Sequence, residues 1–478
     1  MNYKLMLRML GRTLQVEALC LIIPMLVALY YREDPLPFLY TILPVGILGT
    51  LLARLRSNAE FFSQEGFTVV GLIWLSFCLF GALPFWFSGE FASFADCFFE
   101  SASGFTTTGG TALSDIESLP RGILFWRAFS SWIGGMGVLI FTMAFLPKVG
   151  GRSQTLFRAE VPGPVSTKLV PQTAHASQIL YLMYFVLTGA ELVALRIAGM
   201  PWFDAITTTF SCVCTAGFSV MNQSLGAYNL PACEIIAIVF MILGSLNFAV
   251  FFLVITGRAR QALRSDELKF FLGILGVVSL LVFWNILPLY DTAGHALRDA
   301  VFQVTSLIST SGFSTVDYNL WPTFSQTLLL LLMFVGGCSG STAGSIKCGR
   351  ILLLLRSSTR SILRLSHPRA IKVVKLDGKA VSEETLRSVF SFFTCYFLLL
   401  GLGTIVVSLD GHSLTTSFTA TLGCLSNVGP GLDTVGPLAS FSPLSEFNKV
   451  FLSLFMLIGR LEIFPILLLF HPSTWRRS

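Results

Sequence analysis

Ten apolar runs, at about 16–31, 37–53, 67–88, 122–147, 177–199, 233–256, 270–289, 325–346, 385–408 and 447–470, fill most of this chain and limit what it can become. Most approach or exceed the roughly 20 residues that a helix needs to cross the hydrocarbon core of a bilayer. With 54% hydrophobic and 12% charged residues over 478 positions, the chain carries about half the charge of a soluble domain. This composition excludes nucleic-acid binding and disorder and points to an integral membrane protein. Lys4, Arg8 and Arg12 precede the first run as in a secretory signal, but no small-residue cleavage site follows. The run therefore reads as a retained first span.

The ten cysteines do not suggest a disulfide framework. Nearly all, including Cys20, Cys78, Cys97, Cys212, Cys214, Cys338, Cys395 and Cys424, lie inside apolar stretches, and no CxxC pair occurs. They read as small buried hydrophobes. The histidines at 175, 295, 367, 412 and 471 are scattered singly, so no zinc or haem spacing can be assembled.

Basic residues accumulate on the cytoplasmic side of membrane proteins, and they fall here in alternate connections. One side holds Arg54, Arg56, Lys148, Arg152, Arg158, Lys168, Arg258, Arg260, Arg264, Lys269, Arg476 and Arg477, with a long basic segment from Arg350 to Arg387. The other is mildly acidic, with Asp115, Glu117, Asp291, Asp317, Asp410, Asp433 and Glu446 against Arg32, Arg121, Arg298 and Lys449. Both termini are expected in the cytoplasm.

Between successive spans on the outer side lie four segments too short and too rich in Ser, Thr and Gly to cross a bilayer, which suits re-entrant half-helices. They end in Thr107-Thr108-Gly109-Gly110, Thr215-Ala216-Gly217-Phe218, Thr310-Ser311-Gly312-Phe313 and Asn427-Val428-Gly429-Pro430. Ser103-Gly104-Phe105-Thr106 competes for the first position. Equal offsets decide for Gly109, because Asp96, Asp204 and Asp299 stand at one common distance before Gly109, Gly217 and Gly312. Thr416 stands there in the divergent fourth copy. These residues are expected to cap half-helices rather than to bind ions. Glycines recur in each following span, at Gly134 and Gly135, Gly244, Gly336 and Gly337, and Gly459.

The expected fold is all-α and integral to the membrane: a two-helix preface at 1–60, then four pseudo-symmetric helix, pore-loop, helix repeats at 61–155, 156–262, 263–356 and 357–478 around a central ion pore. The last unit includes the basic cytoplasmic segment. Four glycine loops on a fourfold axis suit a cation filter. Backbone carbonyls can replace the water of a dehydrated ion, and glycine permits the backbone angles that turn them inward. The negative C-terminal ends of the half-helices favour cations at the same place.

These residues resemble the bacterial TrkH-type potassium-uptake subunits of the Trk/Ktr/HKT superfamily, over essentially the whole length. The resemblance is carried by Leu83-Pro84-Phe85, Phe105-Thr106-Thr107-Thr108-Gly109, Trp132-Ile133-Gly134-Gly135-Met136-Gly137, Arg158-Ala159-Glu160-Val161-Pro162-Gly163-Pro164, Gly336-Gly337-Cys338-Ser339-Gly340-Ser341-Thr342, Asn427-Val428-Gly429-Pro430-Gly431-Leu432 and Gly459-Arg460-Leu461-Glu462. It implies potassium uptake across a bacterial inner membrane, with Gly109, Gly217, Gly312 and Gly429 as filter glycines. Sodium-favouring relatives typically carry serine at the first of these. It also implies a homodimer and a ring of TrkA-like cytosolic subunits whose nucleotide controls opening. This chain has no P-loop or Rossmann fingerprint, so no cofactor is expected on it, and potassium is its substrate.

The glycine-rich break Gly336-Gly337-Cys338-Ser339-Gly340-Ser341-Thr342-Ala343-Gly344-Ser345 cannot sustain a rigid helix, each glycine costing about 1 kcal/mol relative to alanine. The resemblance makes it an intramembrane gate; a kink for close packing is the alternative. Arg460 in the last span would be costly against lipid and would repel cations below the filter. Pairing with Glu462 is its structural alternative. Lys347 contributes to the gate or snorkels from a helix end. Arg127, Glu191 and Glu100 are read as structural.

Three other functions can be weighed. Gly337-Cys338-Ser339-Gly340 matches the short GxSG pattern of intramembrane serine proteases, but no histidine lies in a later apolar span to serve as base. A voltage sensor would need arginines at every third position, and these are missing. A sodium-permeable relative of the same fold remains as the alternative substrate class.

Overall fold

The computed structural model describes residues 3–55, 63–137, 173–367 and 373–470. Among them, six helices are long and apolar enough to cross a membrane: Tyr3–Tyr30, Leu36–Ala53, Gly66–Ser88, Ile179–Ile197, Asp266–Leu289 and Glu383–Asp410. Exposed leucines such as Leu26, Leu43, Leu51, Leu280 and Leu398 cover their outer faces, a surface suited to hydrocarbon and not to water. The chain is a multi-pass membrane protein. The Arg158 to Pro164 motif, Arg56, Lys148, Arg152, Lys168, Arg369, Lys372, Arg476 and Arg477 lie outside the described residues.

The first two spans cross closely. A Cβ on Gly11 would meet Ala53 N at 2.5 Å, and one on Gly49 would meet Gly11 O at 2.9 Å. Small residues permit this approach in lipid, where association depends on packing rather than on escape from water.

The four half-helices are Phe94–Phe105, Trp202–Val213, Ala293–Ile308 and Leu414–Leu425. Twelve helical residues, as in the first, rise only about 18 Å. The caps differ from the expectation. Ser93, Thr292 and Ser413 are the residues whose hydroxyls accept the Asp96, His295 and Thr416 N–H groups. Asp96 and Asp204 lie inside the first turn, where a carboxylate still complements the helix dipole. Asp299 lies deeper, because the third half-helix starts earlier, at Ala293. In the fourth copy a carboxylate arrives from elsewhere: Asp433 Oδ2 accepts the Thr416 hydroxyl at 2.8 Å.

Among the described residues, the helices following the loops are not continuous. Arg121–Gly135 ends at Gly135. Pro231–Ser245 turns through 95° into Phe248–Ile255. Thr323–Val335 stops at Gly336, and Glu446–Arg460 stops before Phe464–Phe470. The break expected only in the third repeat is therefore shared. Its cause is crowding at the centre. A Cβ on Gly134, Gly244 or Gly459 would lie 1.8, 2.9 or 2.1 Å from the carbonyl oxygen of Phe105, Val213 or Leu425, each the last helical residue of its half-helix. Helix backbones pressed this close to the half-helix ends turn away there, and non-helical backbone at membrane depth is tolerated where protein buries it.

A small antiparallel hairpin pairs Lys375–Leu376 with Lys379–Ala380. It packs through Val374 onto Leu353, Leu386 and Val389 of the flanking helices.

Candidate functional site

The four glycine loops close into a ring. A Cβ on Gly109 would lie 1.7 Å from Ala216 O, one on Gly217 1.9 Å from Ser311 O, one on Gly312 2.3 Å from Val428 O, and one on Gly429 2.5 Å from Thr108 O. Each loop thus abuts the next, and the fourth returns to the first. Segments spread along the chain surround one axis.

Within each loop the backbone alternates in handedness. Thr107, Thr215, Thr310 and Asn427 have φ of 55°, 56°, 59° and 53°, and the four glycines have φ of 79°, 79°, 78° and 92°. The N–H groups of Thr108, Ala216, Ser311 and Val428 bond back to Ser103, Ser211, Ser306 and Gly423 carbonyls at 2.8–2.9 Å. In a planar trans peptide the carbonyl points opposite the N–H. The carbonyls of Thr107, Thr215, Thr310 and Asn427 are therefore directed away from the half-helix ends. The Gly217, Gly312 and Gly429 N–H groups bond the same way, at 3.3–3.4 Å, so the Ala216, Ser311 and Val428 carbonyls follow. The arrangement offers stacked oxygen ligands and no full charge.

Directly against this ring lies the loop from Gly336 to Lys347. Gly344 N–H donates to Thr310 Oγ1 at 2.7 Å, and Thr215 Oγ1 donates to Thr342 Oγ1 at 3.2 Å. Gly336 and Gly340 are left-handed, as are Ser345 and Lys347, for which no sequence signal existed. Gly337 lies against Ala343 and Ser245, leaving no room for a side chain. Ser341 Oγ donates to Cys338 O at 2.6 Å, and Ser339 N–H donates to Glu267 Oε1 at 2.6 Å.

Arg460 joins loop to ring. Its guanidinium donates to Thr107 Oγ1 at 3.1 Å, Thr342 O at 2.7 Å, and Gly134 O and Gly135 O at 2.6 Å each. Glu462, the alternative partner, instead pairs with Arg350. Lys347 is 3% exposed and donates to Ala343 O, so it does not snorkel. Arg460, Lys347, Gly135, Gly344 and Trp74 line a cavity of ≈ 70 Å³. Of the other intramembrane charges, Arg127 pairs with Glu100 at 2.6 Å, and Glu191 is fully buried.

Sequence reasoning missed two participants, Glu267 and Ser245, and, for Asn427 of the fourth loop, its side-chain contacts. Nothing in the sequence pattern singles out Glu267, an acidic residue in a first helical turn. Asn427 Nδ2 donates to Thr108 Oγ1 at 2.9 Å and to Met456 O at 2.9 Å, and its departure from threonine was the available signal. Ser245 accepts the Cys338 N–H at 2.8 Å through its backbone, which leaves no trace in side-chain pattern. Among the described residues no group of His, Cys, Asp or Glu could hold a metal.

Quadruplicate half-helices closing on an oxygen-lined ring suit a cation transport protein. Residues 38–477 match the TrkH family of cation transport proteins. The potassium uptake protein TrkH of Salmonella typhimurium is 38% identical over the whole of both chains, and TrkG of Escherichia coli is 36% identical over 99% of each. The crystal structure of the potassium transporter TrkH from Vibrio parahaemolyticus superposes with a TM-score of 0.89 and 34% identity, covering all of both chains. The chain belongs to the TrkH family, and it is a transporter rather than an enzyme. The serine-protease reading of Ser339 ends there.

Proposed function

We propose that this chain forms the pore of a potassium uptake system in a bacterial inner membrane, with both termini cytoplasmic. Potassium sheds its water in the ring and is held by the carbonyls of residues 107–109, 215–217, 310–312 and 427–429. After the two-helix preface at 1–60, the units at 61–155, 156–262, 263–356 and 357–478 contribute one loop each to the axis. Gly336, Gly337, Ser339, Gly340, Ser341, Thr342 and Gly344 form a gate beneath the ring, with Lys347 and Arg460 setting a positive barrier to cations. Glycine at all four ring positions favours potassium over sodium. The chain works as a homodimer under cytosolic nucleotide-binding subunits of the TrkA type, as its resemblance to Trk system proteins suggests.

The observation that carries this reading is the cyclic contact of the four glycine loops. Its test is growth of an uptake-deficient bacterium on limiting potassium, with this chain or with each ring glycine replaced by alanine. The intact chain restores growth and all four variants fail. Growth supported by every variant overturns the reading.

A further inference from the structure

Two adjacent carboxylates at the start of the helix Asp266–Ile286 face opposite partners. Asp266 holds the hairpin: its N–H donates to Asp377 Oδ1 at 2.7 Å, and the Asp377 N–H donates back to Asp266 Oδ2 at 3.0 Å. Asp377 occupies the hairpin's turn, with φ of 49°. Arg356 donates to Asp266 Oδ2 at 2.8 Å and to Lys375 O at 2.6 Å, so one guanidinium ties helix, hairpin and carboxylate together. Glu267 is turned inward and 9% exposed. It accepts the Ser339 N–H at 2.6 Å, and its Oε1 lies where a Cβ on Gly349 would approach within 2.7 Å.

We propose that Asp266 and Glu267 are positioning residues that link the hairpin at 375–380 to the loop at 336–347, so that pulling the hairpin off Asp266 loosens the loop's hold on Ser339. The covalent step between the two contacts is a single peptide unit in the first turn of a helix, which moves as a rigid piece. The loop has a second tie to the same assembly. The helix Cys348–Ser366 that carries Arg356 begins immediately after Lys347. A ligand or protein that engages the hairpin therefore reaches the loop by two routes, of which the Glu267 contact is the shorter. The inference rests on the reading of 336–347 as a gate.

The experiment is a double-mutant cycle on rubidium flux through the full chain in proteoliposomes. Asp377→Ala removes the acceptor of the Asp266 N–H and so weakens the hairpin clasp without touching the loop, and Glu267→Ala releases Ser339. Each single change is expected to raise flux severalfold. The pair is expected to raise it by less than the two single effects combined, because coupled sites are non-additive while independent ones add. Glu267→Gln keeps an acceptor for the Ser339 N–H and is expected to restore flux towards the parent value, which general loosening of the fold would not do. Should Glu267→Ala fail to insert, Glu267→Asp, whose shorter side chain withdraws the acceptor from the Ser339 N–H, takes its place in the cycle with the same expected non-additivity. Flux unchanged by Asp377→Ala, or effects that add in the double variant, overturn the linkage. Shortening the loop in parallel separates the two readings. If that fails to raise flux the gate itself falls, and if it succeeds while the cycle is additive only the linkage falls.

Discussion

Asn427 Nδ2 donates to Thr108 Oγ1 at 2.9 Å, joining the fourth glycine loop to the first across 319 residues of sequence. The contact adds a side-chain hydrogen bond to a joint that, like the other three, sets a glycine against its neighbour's carbonyl oxygen. It also explains why asparagine replaces threonine in the divergent copy. The amide reaches both the neighbouring loop and Met456 O, tying the ring to the helix that ends in Arg460.

Gly109→Ser adds a side chain where φ is 79° and the Ala216 oxygen is 1.7 Å from the new Cβ. The first loop must retreat, widening the ring on one side. Preference for potassium over sodium is expected to fall at least about tenfold, or about 1.4 kcal/mol, as read from competing rubidium and sodium uptake. An unchanged ratio would mean that the first loop does not line the path.

Deleting several residues between Gly336 and Ser345 removes the contacts from Gly344 to Thr310 and from Thr342 to Thr215. Flux without any regulator is expected to rise severalfold in proteoliposomes. A silent variant that still inserts normally would count against the gate.

Arg460→Lys keeps the charge but loses the planar fork that reaches four oxygens at once. Basal flux is expected to rise, and Arg460→Ala is expected to raise it further because the barrier charge is also lost. Equal flux in both variants would assign the whole effect to the hydrogen bonds.

Lys449 pairs with Asp96 at 2.6 Å, both side chains being under a tenth exposed. Asp96→Ala strands a buried ammonium and is expected to cost about 3–5 kcal/mol, whereas Asp96→Asn with Lys449→Met should cost less. Thermal unfolding in detergent measures the difference.

The Ser413 and Thr416 hydroxyls hold the Asp433 carboxyl below the usual carboxylate range. A group depressed in the folded state contributes stability above its unfolded value, near 3.9, and loses it as pH falls through the lower folded value. The stability difference between the parent and Asp433→Asn is therefore expected to stay constant from about pH 5 to 8 and to shrink below about pH 4. A difference that changes around neutrality would contradict the clasp.

The half-helices and glycine loops were legible because Asp96, Asp204 and Asp299 keep one spacing and four glycines recur with threonine-like neighbours. The helix breaks at Ser245 and Arg460 were not. Hydropathy averages over a whole run and cannot register that Gly244 and Gly459 press against carbonyl oxygens of other segments. Glu267 was hidden for a related reason. Its partner is a backbone N–H of Ser339, and contacts to main chain constrain the partner's identity very little.

The most direct test is to locate rubidium or thallium by anomalous scattering in crystals of the transporter. The ring is expected to hold the ion on its axis, encircled by residues 107–109, 215–217, 310–312 and 427–429, and to lose it in Gly217→Ala. Density away from those residues, or retained unchanged in that variant, would contradict the claim that four carbonyl-lined loops form one cation site.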